Sequence, residues 1–195
     1  FVITIAVPQF VSLLLMRNFL NDHGPLNGLL QTLHITNEPV PFLTDPLWAK
    51  FSIIFVNMWI GIPFTMLVAT GIIMNLPTEQ IEAAEIDGAS KFQIFKSITF
   101  PQILLIMAPS LIQQFIGNIN NFNVIYFLTG GGPTNSEFYQ AGSTDLLVTW
   151  LYKLTVSAKD YNLASVIGIF IFAISATFSL LAYTRSSSFK EGAAK

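Results

Sequence analysis

Glu82-Ala83-Ala84-Glu85-Ile86-Asp87-Gly88, with Ile98 and Pro101 behind it, forms a short charged island between two long apolar runs. Neither residues 51–76 nor residues 97–136 carry a charged side chain. A helix needs about 20 apolar residues to cross the hydrocarbon core of a bilayer. The chain therefore reads as an all-helical membrane protein, with a charged helix–turn–helix held just outside the bilayer between two spans. A polar element so placed fits the grip of a soluble protein beside the membrane.

Composition supports that reading. Hydrophobic residues make up 52% of the chain and charged residues only 10%, whereas a soluble domain carries about 25% charged residues. The net charge of −2 and the lack of a Lys/Arg cluster argue against nucleic acid as a partner. The chain has no cysteine, which excludes disulfides, thiolate metal sites and a cysteine nucleophile. His23 and His34 sit in a polar segment without ligand spacing and read as solvated loop residues. Neither a nucleophile–base pair nor a metal cluster is evident, so no enzyme chemistry and no cofactor are expected.

Four apolar runs predict spans: 1–16, 51–74, 103–128 and 163–183. The first lacks an initiator Met, a basic n-region and a small-residue cleavage site, so it is not a signal peptide. It reads as a span cut into from its N-terminal side, and the chain as the C-terminal part of a longer membrane protein. Four spans put loops 17–50 and 130–160 on one side, and loop 75–101 with the tail on the other. Lys91, Lys96, Arg185, Lys190 and Lys195 outnumber Arg17, Lys50, Lys153 and Lys159 by one, which places island and tail in the cytoplasm. Trp48, Trp150 and Tyr152 are expected to anchor the outer interface. Asp22-His23-Gly24-Pro25 and Pro39-Val40-Pro41 mark turns in the first outer loop. Gly130-Gly131-Gly132-Pro133 should end the third helix. It resembles a phosphate loop only in glycine content, since no Lys-Ser/Thr follows. The stretch 144–154 predicts a short helix with Leu147, Trp150, Leu151 and Leu154 on one face.

Within the island, Thr78 is a candidate N-cap and Glu79, Glu82 and Glu85 lie toward the positive end of the helix dipole. Ala83 and Ala84 keep that helix thin. Asp87-Gly88 breaks it, and Ser90-Lys91-Phe92-Gln93 is a capping box for a second helix with Phe92, Phe95 and Ile98 at helical spacing. Pro101 marks the start of the third span. A plain amphipathic surface loop remains the bland alternative to a coupling element inserted in a partner's groove.

The order and spacing of Glu82-Ala83-Ala84, Gly88, Ile98 and Pro101 resemble the EAA loop of ABC importer permeases. Phe100 stands where that family usually has Leu. Asn118 to Phe122 and Leu128 to Pro133 look like sugar-importer permeases of the maltose type. Segments 56–63 and 141–148 resemble the larger permease subunit of maltose and maltodextrin importers. The resemblance covers essentially the whole chain. It implies a type I ABC importer permease bundle, with 1–195 as one truncated transmembrane domain in the bacterial plasma membrane. It further implies a cytoplasmic coupling loop, 75–101, in which Glu82, Ala83, Ala84, Asp87, Gly88, Ile98 and Pro101 contact the ATP-binding subunit dimer. A second permease subunit and an extracytoplasmic sugar-binding protein on loop 130–160 complete the implied assembly. ATP hydrolysis would belong to the separate subunit. The implied cargo is an oligosaccharide moved by alternating access, maltose or maltodextrin foremost and galacto-oligosaccharides as the alternative.

Asn57 on the second span, and Asn118 and Asn121 three apart on the third, admit two readings. One is interhelical hydrogen bonding, worth roughly 0.6 kcal/mol per contact. The other is a sugar site, since an amide offers donor and acceptor together. Asn120 and Asn123 point elsewhere, and Gln113 and Gln114 lie about one turn earlier. The resemblance implies sugar contacts at Asn57, Ile60, Gly61 and Phe64, at Gly117, Asn118 and Asn121, and at Ile5 and Gln9. Ile5 and Gly117 stand where the enterobacterial type has aromatics, and Phe64 lacks a phenol hydroxyl, which implies a roomier, less polar site. Pro8, Pro63 and Pro109 interrupt apolar runs. Gly168, with Ala164 or Phe172, is a small-residue packing site. An ion-driven transporter would need ionisable groups within spans, which the central runs lack; a scaffold or membrane enzyme would leave the island unexplained.

Overall fold

The computed structural model describes residues 6–185. Its helices are α1 Gln9–Phe19, α2 Pro25–Thr32, α3 Pro46–Met74, α4 Thr78–Ile86, α5 Lys91–Ile94, α6 Phe100–Ile119, α7 Phe122–Leu128, α8 Leu147–Tyr152 and α9 Tyr161–Arg185. Among the described residues there is no strand, only one isolated bridge between Thr134 and Gly142. Among the described residues, three helical stretches are long and apolar enough to span: Pro46–Met74, Lys91–Ile119 and Tyr161–Thr184. The expected first span lies partly outside the described residues; its described part is α1 and Ala6, with Val7 and Pro8 non-helical between them.

The structure moves several boundaries. Helix α3 starts five residues before the uncharged run, because Asp45 accepts hydrogen bonds from Leu47 N (2.9 Å) and Trp48 N (3.0 Å) and Pro46 occupies the first helical position. Pro77, not Thr78, holds the N-cap position of α4, without a side-chain cap, and Thr78 is already helical. Pro101 does not open the third span. A π turn, Phe95–Thr99, joins α5 to α6 as one continuous helix. Pro101 has no N–H for the carbonyl four residues back, and a π turn re-registers the ladder: Phe100 N reaches the carbonyl of Phe95. Finally, run 103–128 is not one helix. It breaks at Asn120–Asn121 between α6 and α7, where asparagines compete with the helical ladder for backbone partners. The short helix of loop 130–160 also starts later than expected, at Leu147, since the Thr144 hydroxyl is held by Gly132 O (2.5 Å).

Buried Leu13 and Leu20 of α1 and its C-terminal edge pack with Val56 of α3 and Val124 and Leu128 of α7. A second cluster joins Leu154, Ala164 and Ile167, sealing the α8 end onto α9. An added Cβ at Gly168 would stand 3.9 Å from Leu151 Cδ1, so that small site receives α8; Phe172 is 73% exposed and takes no part. On α3, Phe51 and Phe55 are 67% and 65% exposed, an outward apolar face suited to lipid or neighbouring helices.

Candidate coupling helix and substrate cleft

Helix α4 has no buried residue. Its C-terminus is a Schellman motif: Gly88 N donates to Glu85 O and Ala89 N to Ala84 O, both at 3.0 Å. That motif requires a left-handed residue after the cap, and Gly88 has φ +80°. The capping box of α5 is present, with Ser90 N donating to Gln93 Oε1 (2.8 Å) and Gln93 N to Ser90 Oγ (3.4 Å). Glu82, Ala83, Asp87, Gly88 and Pro101 are exposed, whereas Ala84 and Ile98 are half-buried. Ile86 is 87% exposed and Phe92 71%, so the elbow presents apolar side chains that none of the described residues covers. Gln102 Nε2 donates to Gln80 Oε1 (2.5 Å) and ties α4 to the start of α6.

The four asparagines at the α6–α7 break reach three different helices. Asn57 Nδ2 donates to Asn118 Oδ1 (2.8 Å), and Asn121 Nδ2 donates to Asn57 Oδ1 (2.9 Å). Asn121 Oδ1 also caps α7 by accepting from Val124 N (3.3 Å). Asn120 Nδ2 donates to Ser175 Oγ on α9 (2.9 Å), and Asn123 Nδ2 to Gln9 Oε1 on α1 (3.3 Å). One turn away, Thr65 Oγ1 donates to Gln114 Oε1 (3.0 Å). Asn118 and Asn121 thus converge on Asn57, but across a helix break rather than along one helical face.

The remaining candidates fall beside this hub. Gln9, Ile60 and Phe64 line a cleft of about 260 Å³ between α1 and α3. Gly61 and Gly117 are exposed, and an added Cβ at either meets nothing within 4 Å. Ile5 lies outside the described residues. Trp59 and Ser12 also line the cleft. Spacing from Asn57 misses both, because Trp59 falls off its helical stripe and Ser12 lies on another helix.

Loops 17–50 and 130–160 are knotted by polar groups that the sequence reading passed over. Asn27 is buried; its Nδ2 donates to Asn21 O (3.2 Å) and Val40 O (3.0 Å), and its Oδ1 accepts from Val40 N (2.8 Å). In loop 130–160, the Asp145 carboxylate is 2% exposed, pairs with Lys153 Nζ (2.5 Å) and accepts from Gly142 N (2.7 Å). Trp150 Nε1 donates to Tyr139 O (2.8 Å), fastening α8 to the loop.

Residues 1–188 match the family described as "Binding-protein-dependent transport system inner membrane component". The chain belongs to this family. It is 41% identical, over 96% of its own length and 45% of the relative's, to the galactooligosaccharides transport system permease protein of Bacillus subtilis (strain 168). Identity to the maltodextrin transport system permease protein of Streptococcus pneumoniae serotype 4 (strain ATCC BAA-334 / TIGR4) is 38%, over 97% of the chain and 45% of the relative. The chain therefore spans less than half the length of these relatives. A crystal structure of a bacterial ABC transporter involved in the import of the acidic polysaccharide alginate matches with a TM-score of 0.80 and 27% identity, covering 94% of this chain and 62% of that one. As an all-α inner membrane component with the importer-permease fold, the chain combines an uncovered elbow at one pair of span ends with a polar hub where its helices cross.

Proposed function

We propose that the chain forms the membrane-spanning permease part of an ATP-driven ABC importer for oligosaccharides. The observation that carries this reading is α4: a Schellman-capped helix between two spans, with no residue buried and Ile86 87% exposed beside Gly88. Such a helix fits a groove on a soluble ATP-binding subunit, whose closure would push α4 and swing α6 through the continuous Lys91–Ile119 rod. Island and tail face the cytoplasm in this scheme. Loop 130–160 receives an extracytoplasmic sugar-binding protein, and a second permease subunit completes the pathway. The sugar contacts fall at Asn57, Asn118 and Asn121, with Ile60, Gly61, Phe64, Gly117, Gln9 and Ile5 around them.

The permeases similar to this chain are named for maltodextrin and for galactooligosaccharides, so both α-glucosides and galactosides are candidate cargoes. Uptake of labelled maltotriose competed by unlabelled galacto-oligosaccharide separates them. For coupling, a cysteine at Ala84, which is half-buried on α4, is expected to cross-link to the ATP-binding subunit in the assembled importer. No adduct in an assembled, ATP-hydrolysing complex would defeat the coupling role.

A further inference from the structure

We infer that the cavity between the Pro46 end of α3 and loop 130–160 is an entry station for saccharide, a second site passed before the amide hub. Lys50 and Glu137 hold hydroxyls there and Trp150 offers a ring face. This rests on the oligosaccharide-importer reading and gives the cargo a resting place that neither the hub nor the coupling helix supplies. The cavity encloses about 630 Å³, within the roughly 300–1,000 Å³ of small-ligand sites.

Its place in the fold links it to the hub. Pro46 and Lys50 line it from α3. Lys50 lies seven residues before Asn57, hence on the same stripe of α3 and about 10–11 Å away along the axis. Helix α7 runs the same course. Asn121 caps it at the hub, Val124 and Leu128 pack with Val56 of α3, and its far end passes into the Gly130 turn that begins the loop. The cavity therefore stands over the α3–α7 pair, at the end of α3 away from the coupling helix.

Its chemistry suits a polyol. Lys50 and Glu137 line one cavity without pairing; among the described residues the ion pair is Asp145 with Lys153. An ammonium that only donates and a carboxylate that only accepts, held apart, supply both halves of what hydroxyl groups need. Asn135 spends its Oδ1 on Glu137 N (2.9 Å). Its Nδ2 and the hydroxyls of Ser136 and Ser143 have no partner among the described residues. Trp150 is held in place by its Nε1 bond to Tyr139 O (2.8 Å), and an aromatic face attracts the polarised C–H groups of a pyranose. The wall is preorganised: Ser143 N donates to Pro133 O (2.8 Å) and Gly142 N to Asp145 Oδ2 (2.7 Å). An apolar anchor of a docking protein would bury the Lys50 and Glu137 charges without partners, which is costly, whereas a saccharide satisfies both. Seating of the binding protein itself is the competing outcome.

The test uses the complete importer, reconstituted with its ATP-binding subunits and binding protein in proteoliposomes. With p-benzoylphenylalanine in place of Ser136, irradiation in the presence of radiolabelled maltotriose or galactotriose is expected to attach label to the permease, and excess unlabelled sugar should block it. An adduct to the binding protein alone, or no sugar adduct in an importer that transports, overturns the station. Separately, Lys50→Met combined with Glu137→Gln should lower uptake at saturating liganded binding protein about five-fold or more, while affinity for the binding protein stays within two-fold. Undiminished uptake, or a fall matched by lost affinity, overturns the station and leaves the importer reading standing. Wild-type importer that carries no saccharide of either series overturns both.

Discussion

Gly131→Ala is expected to be a strongly damaging single-methyl change in loop 130–160, and its cost can be worked out from two terms. Gly131 has φ +83°, where a residue with a Cβ costs about 1–2 kcal/mol. The added Cβ would also stand only 1.9 Å from Asp145 Oδ1 and 2.5 Å from Lys153 Nζ, so the carboxylate must leave its place. Displacing it forfeits the bond from Gly142 N and strains the pair with Lys153; one hydrogen bond to a charged group is worth about 1.5–3 kcal/mol. The sum is about 2.5–5 kcal/mol of local stability. In an Asp145→Ala background the carboxylate is gone and the end of the flexible Lys153 chain, no longer paired, can swing aside, so the same glycine change should cost only the backbone term of about 1–2 kcal/mol. The double-mutant cycle therefore predicts a coupling of about 2 kcal/mol, well beyond the roughly 0.3–0.5 kcal/mol scatter of independent sites. Hydrogen exchange on peptides covering 130–160 in the purified complex reads this directly. Protection at Gly142 to Thr144 should fall on the order of 100-fold or more in Gly131→Ala, each 1.4 kcal/mol being a factor of ten. Equal penalties for Gly131→Ala in the two backgrounds would refute the proposed collision.

Three further changes test other joints. Asn27→Leu removes three hydrogen bonds at a buried position and should destabilise loop 17–50 by about 2–4 kcal/mol through the stranded backbone groups of Val40 and Asn21; thermal melts and exchange in residues 20–45 report it. Gly88→Val, at φ +80° with nothing near an added Cβ, should unwind the last turn of α4 for conformational reasons alone, leaving ATP hydrolysis but cutting uptake; unchanged uptake would count against coupling through this turn. Pro101→Ala restores the missing amide, so the π turn can relax to α and rotate Lys91–Ile94 by about 100° against α6. Spin-label distances between positions 86 and 104 in the purified complex should then shift; identical distances would mean that something other than Pro101 holds the π turn.

Long uncharged runs announce α3, α6 and α9 because a membrane span is a one-dimensional property of sequence. The Ser90–Gln93 box and the Gly88 stop are equally local, since each joins residues within one turn. What escaped the sequence reading is what depends on distant partners. The 103–128 run is apolar enough to read straight through Asn120 and Asn121; the break is fixed by Asn57, Ser175 and Gln9, each more than 50 residues away or on another helix. The Asp145–Lys153 pair joins two residues of the same loop, yet its burial under Gly131 depends on a turn whose path no periodicity describes. Trp59 was passed over for a related reason: stripe arithmetic from Asn57 follows one face of α3, whereas the cleft is made where that face meets α1.

The asparagines at the break show how packing and recognition can share one set of groups. A helix interrupted inside a bilayer leaves backbone donors and acceptors unpaired at a cost of several kcal/mol each, so an interruption persists only where side chains supply partners. Asn121 does so for Val124 N, while Asn120 and Asn123 pin the two flanks to α9 and α1. Asn57 then spends its Oδ1 on Asn121 and one donor on Asn118. Asn118 accepts from both neighbours through its Oδ1, at 2.8 and 3.5 Å, and stands exposed. Among the described residues its Nδ2 donates to nothing. The two readings of these amides therefore share residues rather than exclude one another. Asn120, Asn121 and Asn123 hold the break together, and Asn118 keeps both of its Nδ2 hydrogens without an acceptor among the described residues, beside Gly117, which has no side chain to obstruct it.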